Sequence, residues 1–130
     1  MNSYLVDTTV IIEMLRGNAL AKKFLESGPS ISIITVGELI QGCKDKNQLQ
    51  VVEKTCAIFP QIKIDVAISK ITIELMKRYY LSHGLLMLDA FIGASCIVAK
   101  KTLVTNNLRD FRFIPELHIL SHEEAFDIPR

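Results

Sequence analysis

Nowhere in the 130 residues is there a Pro-, Gly- or Ser-rich linker, an internal repeat or a low-complexity stretch, and only four prolines and six glycines are present. With nothing to divide it, residues 1–130 read as a single domain, long enough to bury a substantial core. Cysteine is scarce as well: Cys43, Cys56 and Cys96 are odd in number, far apart and without a CxxC pair. That pattern argues against a disulfide scaffold and indicates a reduced, cytoplasmic protein with inert thiols. An excess of either charge is missing too. Fifteen basic residues face fourteen acidic ones, so any nucleic acid must be held by a local patch rather than by a long-range field. Finally, no apolar run is long enough for a membrane helix, because Asp7, Glu13 and Asp89 interrupt the longest stretches. The opening also lacks the basic n-region of a secretory signal.

What is present is an alternation of short apolar runs with helical patterns. Ser3–Val6 reads as a first strand, followed by a helix over Thr8–Leu15 and a second short one carrying Leu20, Phe24 and Leu25 as far as Gly28 and Pro29. Ser30–Ile34 is β-branched and short, hence a strand. Val36, Leu39, Ile40 and Cys43 then recur at helical spacing. Gln48–Phe59 reads as another amphipathic helix, Ile62–Ile64 as a strand, and Asp65 as the cap of a long helix through Ile68, Ile71, Leu75 and Tyr79. Ala90–Ala99 carries no charge on any face and is rich in small residues, which suits a buried helix starting at Asp89. Thr102–Thr105 and His118–Leu120 are the remaining strands. Alternation of this kind predicts an α/β fold, a three-layer arrangement with helices on both faces of a mostly parallel sheet of about four to five strands.

One carboxylate stands out against its surroundings. Asp7 sits in the middle of "YLVDTTVII", and a lone buried carboxylate normally finds a partner, a metal or a proton. In open α/β sheets functional groups gather beyond the carboxyl ends of the strands. That rule selects Asp7 after the first strand, Glu38 in the first turn of the helix after the second, Asp89 at the start of the buried helix, and Asp110 after the Thr102–Thr105 strand. Each has a structural alternative: Asp7 and Asp89 as helix caps, Glu38 in a capping box with Thr35, Asp110 as a turn residue near Arg109 or Arg112. Taken together the acids demand more. Two like charges about 4 Å apart repel by roughly 4 kcal/mol at an effective dielectric near 20, and no Lys or Arg lies in the apolar flanks of Asp7, Glu38 or Asp89. A divalent cation is the expected counter-charge, and an all-oxygen donor set suits Mg²⁺ or Mn²⁺ rather than zinc.

The segments "LVDTTVII", "ISIITVGELIQG", "LDAFIGASCIVAKK" and "TLVTNNLRDFRFIPELHI" resemble, in order and spacing, the successive motifs of PIN-domain ribonucleases, in particular the VapC-type toxins of toxin–antitoxin pairs. The resemblance runs over almost the whole chain. It implies a PIN-like three-layer sandwich and a Mg²⁺- or Mn²⁺-dependent endoribonuclease. Asp7 and Asp89 match the family's principal metal ligands, Glu38 its second acid and Asp110 its fourth. Thr8 and Thr105 match hydroxyl positions beside the site, and Asn107 the amide of a Thr-x-Asn element. It further implies an RNA substrate, a cognate antitoxin protein that holds the enzyme inactive, and a homodimer. Thr9 stands where Asn is usual, and Gly93 where Ala is more typical.

Two other features bear on the site. In "RDFRF", Arg109 and Arg112 alternate with Phe111 and Phe113, a composition able to contact RNA, although the aromatics could equally anchor the loop in the core. His83, His118 and His122 are scattered, and none is expected beside the acids. A receiver-type Mg²⁺-binding phosphoacceptor domain is the alternative from another functional class. It would need an acidic pair after the first strand, where Thr8 and Thr9 follow Asp7, and a phosphoacceptor ending a central strand, for which Asp65 is the available residue. A catalytically silent PIN-like binding module is the other alternative.

Overall fold

The computed structural model describes residues 2–128. Five strands, β1 (Tyr4–Val6), β2 (Ser30–Ser32), β3 (Gln61–Ile62), β4 (Thr102–Val104) and β5 (Ile119–Leu120), form one sheet in the order β3-β2-β1-β4-β5, and every pairing is parallel. Between and after them lie helices α1 (Thr8–Leu15), α2 (Ala19–Leu25), α3 (Ile33–Gln41), α4 (Lys46–Ala57), α5 (Val66–His83), α6 (Met87–Ala99) and α7 (His122–Phe126).

The two-residue period of a strand sends neighbouring side chains to opposite faces, and β1 and β4 use it to build two cores. Leu5 and Leu103 face α5 and α6, joining Ile68, Leu75, Ala90, Ile92 and Ala94. Val6 and Val104 face the other way, with Val10 and Ile11 of α1, Phe24 and Leu25 of α2, and Val52 of α4. Strands buried on both sides read as uninterrupted apolar runs, which is why β1 carries no alternation in its sequence.

Several boundaries differ from the sequence expectation. The β-branched run Ser30–Ile34 is strand only to Ser32, whose hydroxyl accepts the Ile34 N–H at 3.0 Å and caps α3. Ile33 and Ile34 are therefore helical, and Glu38 lies in the second turn of α3 rather than the first. Thr35 is buried inside that helix, so the Thr35–Glu38 capping box does not form. Helix α4 starts two residues earlier than expected because Asp45 accepts the Gln48 N–H at 2.8 Å. Helix α6 begins at Met87 with Leu86 as its cap, so Asp89 stands inside the first turn instead of capping it. Asp65 does cap α5, through the Ile68 N–H at 2.8 Å.

Helix α7 lies beyond the elements that the sequence pattern predicts. Its signal is the sequence S-x-x-E over Ser121–Glu124. The Ser121 N–H donates to Glu124 Oε1 at 3.0 Å and the Glu124 N–H to Ser121 Oγ at 3.1 Å. The first of these bonds holds the Glu124 carboxyl below the usual range.

Gly93 packs in the middle of α6 with an ordinary helical backbone. A methyl added there meets Ile114, Leu117 and Leu75 side chains at 3.8 Å, which is normal contact. Gly93→Ala is therefore expected to stabilise the protein by about 0.5–1 kcal/mol, the helix penalty of glycine relative to alanine. Urea unfolding measures it; a loss of stability would show that α6 sits closer to its neighbours than this spacing allows.

Candidate functional site

β1 is the point at which the chain's progress across the sheet reverses: β2 and β3 lie to one side, β4 and β5 to the other. The crevice beyond the carboxyl ends of β1 and β4 is where such sheets place ligands, and Asp7 and Thr105 stand at those two ends. The Asp7 N–H donates to the Val104 carbonyl at 3.1 Å, locking the end of β1 to β4.

Asp7 is only 5% exposed, and its oxygens are well engaged. Oδ1 accepts from the Thr9 N–H at 3.1 Å and from the Thr9 hydroxyl at 2.6 Å; Oδ2 accepts from the Thr105 hydroxyl at 2.5 Å. Asp7 is thus the cap of α1 as well as a site acid. Thr105 Oγ1 in turn accepts the Asn107 N–H at 3.0 Å. Glu38 reaches back from α3 to α1, where the Thr8 hydroxyl donates to its Oε1 at 2.7 Å, with Thr35 Oγ1 3.3 Å from the Thr8 oxygen. Thr8 and Thr105 therefore each direct a hydroxyl at one carboxylate.

A cleft of about 90 Å³ is lined by Asp7, Thr8, Thr9, Glu38, Asp89, Ile92, Asn107 and Phe111. Asp110 opens instead into a neighbouring recess of about 70 Å³, shared with His83, Phe113 and Asp89. Asp89 lines both, so the acids form a curved row with Asp89 at its centre. The row has an electrostatic consequence. The Asp89 carboxyl is pushed up to about 6, first by its partial burial and then by the negative charge of Asp110, Glu38 and Asp7. Burial, reinforced by the charge of Asp7, also pushes the Cys96 thiol far up, so it stays an un-ionised packing group.

No Lys or Arg is among the residues lining either recess. Uncompensated carboxylates around an oxygen-only donor set are the chemistry of a divalent-cation site. Among the described residues no three His, Cys, Asp or Glu side chains are drawn close enough to share a metal ion as they stand. Asp7 is turned toward Thr9 and Thr105, and Glu38 toward Thr8. A wider hollow of about 780 Å³ lies along the start of α5, and none of the four acids lines it.

Arg109 and Arg112 are exposed, the first in a 3-10 turn over Leu108–Asp110 and the second just beyond it, whereas Phe111 is buried and Phe113 half-buried. The aromatics of "RDFRF" thus anchor the segment, and the arginines stand free of the core beside Asp110. The expectation that no histidine lies near the acids is overturned. His122, buried at the start of α7, has Nε2 3.1 Å from Thr9 Oγ1 and 3.9 Å from Asp7 Oδ1. Periodicity could not place it there, because β5 and α7 return to the site from the far end of the chain.

The receiver-type alternative fails on topology. Such domains follow strand order 2-1-3-4-5, with the third strand beside the first. Here β3 is an edge strand beyond β2, and Asp65, which follows it, lines the α5 hollow rather than the acid cleft.

Residues 4–117 match the family model described as PIN domain. Among curated proteins, the chain is 31% identical over 126 residues to Ribonuclease VapC1 of Methanocaldococcus jannaschii, covering 92% of this chain and 87% of that protein. It is 30% identical over 120 residues to Ribonuclease VapC19 of Mycobacterium tuberculosis, covering 87% of this chain and 95% of the relative. Among solved structures, a DNA-bound VapBC from Salmonella typhimurium superposes with a TM-score of 0.82 at 26% identity, over 94% of this chain and 99% of that one. A toxin–antitoxin complex from Klebsiella pneumoniae gives a TM-score of 0.76 at 30% identity, over 92% and 98%.

Proposed function

The chain belongs to the PIN domain family, and on that premise we propose that it is a metal-dependent endoribonuclease, the toxin of a toxin–antitoxin pair. The observation that carries the reading is the row of Asp7, Glu38, Asp89 and Asp110 along two adjoining recesses with no Lys or Arg in their lining. Its relatives include proteins named ribonucleases and toxins solved with their antitoxins, which supports both the activity and an antitoxin partner. A homodimer and a cytoplasmic location complete the reading; among the described residues no helix is long and apolar enough to cross a membrane.

Asp7 and Asp89 are the principal ligands in this reading, with Glu38 and Asp110 at either end of the row, and Mg²⁺ or Mn²⁺ as the ion. When bound, the cation supplies Lewis-acid charge at the phosphodiester and makes water acidic enough to act as nucleophile near neutral pH. The chain's own groups do the rest. Thr8 and Thr105 hold Glu38 and Asp7 in fixed rotamers, and Asn107 stands at the mouth of the cleft, where its amide can bind a phosphate oxygen. Arg109 and Arg112 offer exposed guanidinium groups to the RNA backbone on the Asp110 side.

The test is direct. Purified protein is incubated with total RNA in Mg²⁺, in Mn²⁺ and in EDTA. Cleavage that appears with either ion and disappears with the chelator is the expected result. Intact RNA under all three conditions would overturn the assignment.

A further inference from the structure

The buried histidine beside Asp7 has no part in the mechanism above, and the hydrogen-bond count around it is restrictive. Thr9 has one hydroxyl hydrogen, and it lies on the 2.6 Å bond to Asp7 Oδ1. The 3.1 Å contact between Thr9 Oγ1 and His122 Nε2 must then be made by a hydrogen on Nε2, with the threonine oxygen accepting. The histidine is itself fixed. Its backbone N–H donates to Asn106 Oδ1 at 3.1 Å, its ring packs on Phe126 with centroids 5.4 Å apart, and the residue is 6% exposed. A chain of donors therefore runs from α7 through α1 to the end of β1, joining residues 113 positions apart.

We propose that His122 is a positioning residue that sets the orientation of the Asp7 carboxylate through Thr9, so that α7 tunes the affinity of the acid cleft for its cation. The inference rests on Asp7 being a metal ligand. Thr105 fixes Oδ2 from β4, and the Thr9–His122 pair fixes Oδ1, leaving the carboxylate little freedom to rotate. Partners that orient a metal ligand typically contribute 10- to 100-fold in affinity or activity when removed.

The experiment uses the metal-free protein titrated with Mn²⁺ and followed by electron paramagnetic resonance of the free ion. Thr9→Val and His122→Leu are each expected to weaken Mn²⁺ binding about tenfold. The double variant should be no weaker than the poorer single one, because either change breaks the same chain. Thr9→Ser and His122→Gln keep the hydroxyl and a terminal N–H donor and should stay within about twofold of the parent, which a purely packing role for His122 does not foresee. Unchanged affinity in both single variants, losses that multiply in the double, or a His122→Gln as weak as His122→Leu would overturn the proposal. A second readout needs no metal: the side-chain ¹³C resonance of Asp7 should shift in Thr9→Val and His122→Leu alike, and an unmoved signal sinks the relay. If the parent protein binds no Mn²⁺ but the Asp7 signal responds, the metal reading fails and the positioning role stands.

Discussion

Asp7→Asn is expected to lower metal-dependent RNA cleavage by about a thousandfold while leaving the folded state almost as stable as before. The first half follows from the chemistry. A divalent cation contributes several kcal/mol of charge stabilisation to phosphodiester hydrolysis, and about 1.4 kcal/mol corresponds to tenfold in rate. Removing one ligand's charge from the middle of the site forfeits most of that. The second half follows from the hydrogen bonds. Asn ranks with Asp as a helix cap, and its carbonyl oxygen can keep the Thr9 N–H and hydroxyl bonds now made to Oδ1. The new amide nitrogen would face the Thr105 hydroxyl, which at present donates to Oδ2. That hydroxyl can rotate and accept instead. A cost below about 1 kcal/mol is expected on this count. Measuring kcat/KM beside urea unfolding separates the two. Undiminished cleavage would remove Asp7 from the metal site, and a collapse of stability would make its capping role dominant.

Asp89→Asn should show the opposite pairing, a comparable loss of cleavage with a gain in stability for the metal-free protein. In the fold the Asp89 carboxyl is raised to about 6 from an ordinary 3.8, by burial first and then by Asp110, Glu38 and Asp7. A carboxyl raised in this way favours the folded state when it is protonated. Its contribution is fully present below about pH 4 and lost as the pH rises through about 6. The metal-free protein should therefore become more stable between pH 7.5 and 5. Down to pH 5, about one unit below the raised value, this would amount to about 1.4 kcal/mol for a fully desolvated group. Because the side chain is only partly buried, solvent screening reduces this to about 1 kcal/mol. For a chain of this length that corresponds to a melting shift of roughly 3–4 °C. Asparagine at this position removes the slope and keeps the gain at pH 7.5. Mn²⁺ should raise the parent's melting temperature in the same way, by neutralising the row, and should do so less in the variant. A variant less stable than the parent at pH 7.5, or a parent whose melting temperature is flat over that range, would show that the four acids do not repel one another as their arrangement requires.

Asp7 was legible in the sequence because it is an anomaly of composition, a carboxylate inside an apolar run, and Asp89 in "LLMLDAFIG" is a second. Both stand where local pattern and burial agree. Glu38 was legible as an acid but misplaced along its helix. The β-branched residues Ile33 and Ile34 have strand propensity, and the Ser32 cap overrides it once β2 has met its short partners. Asp110 was grouped with the others, whereas its side chain opens into the adjoining recess and meets them through Asp89. In the sequence Thr9 is only a departure from a motif and His122 only a scattered histidine, because nothing within ten residues of either indicates that they touch.

By itself the sequence determined the layered α/β class, the elements that carry the acids and the need for a counter-charge. Hydrophobic periodicity and isolated polar residues in apolar runs are local properties that survive any arrangement of the elements. Only the tertiary structure decided which hydroxyl serves which carboxylate, that Asp89 sits between two recesses, and that α7 closes on Asp7. These depend on strand order, since the placement of β1 between β2 and β4 brings Thr105 to one side of Asp7 and Glu38 to the other. The addition of β5 beyond β4 then returns His122 to a residue 113 positions earlier.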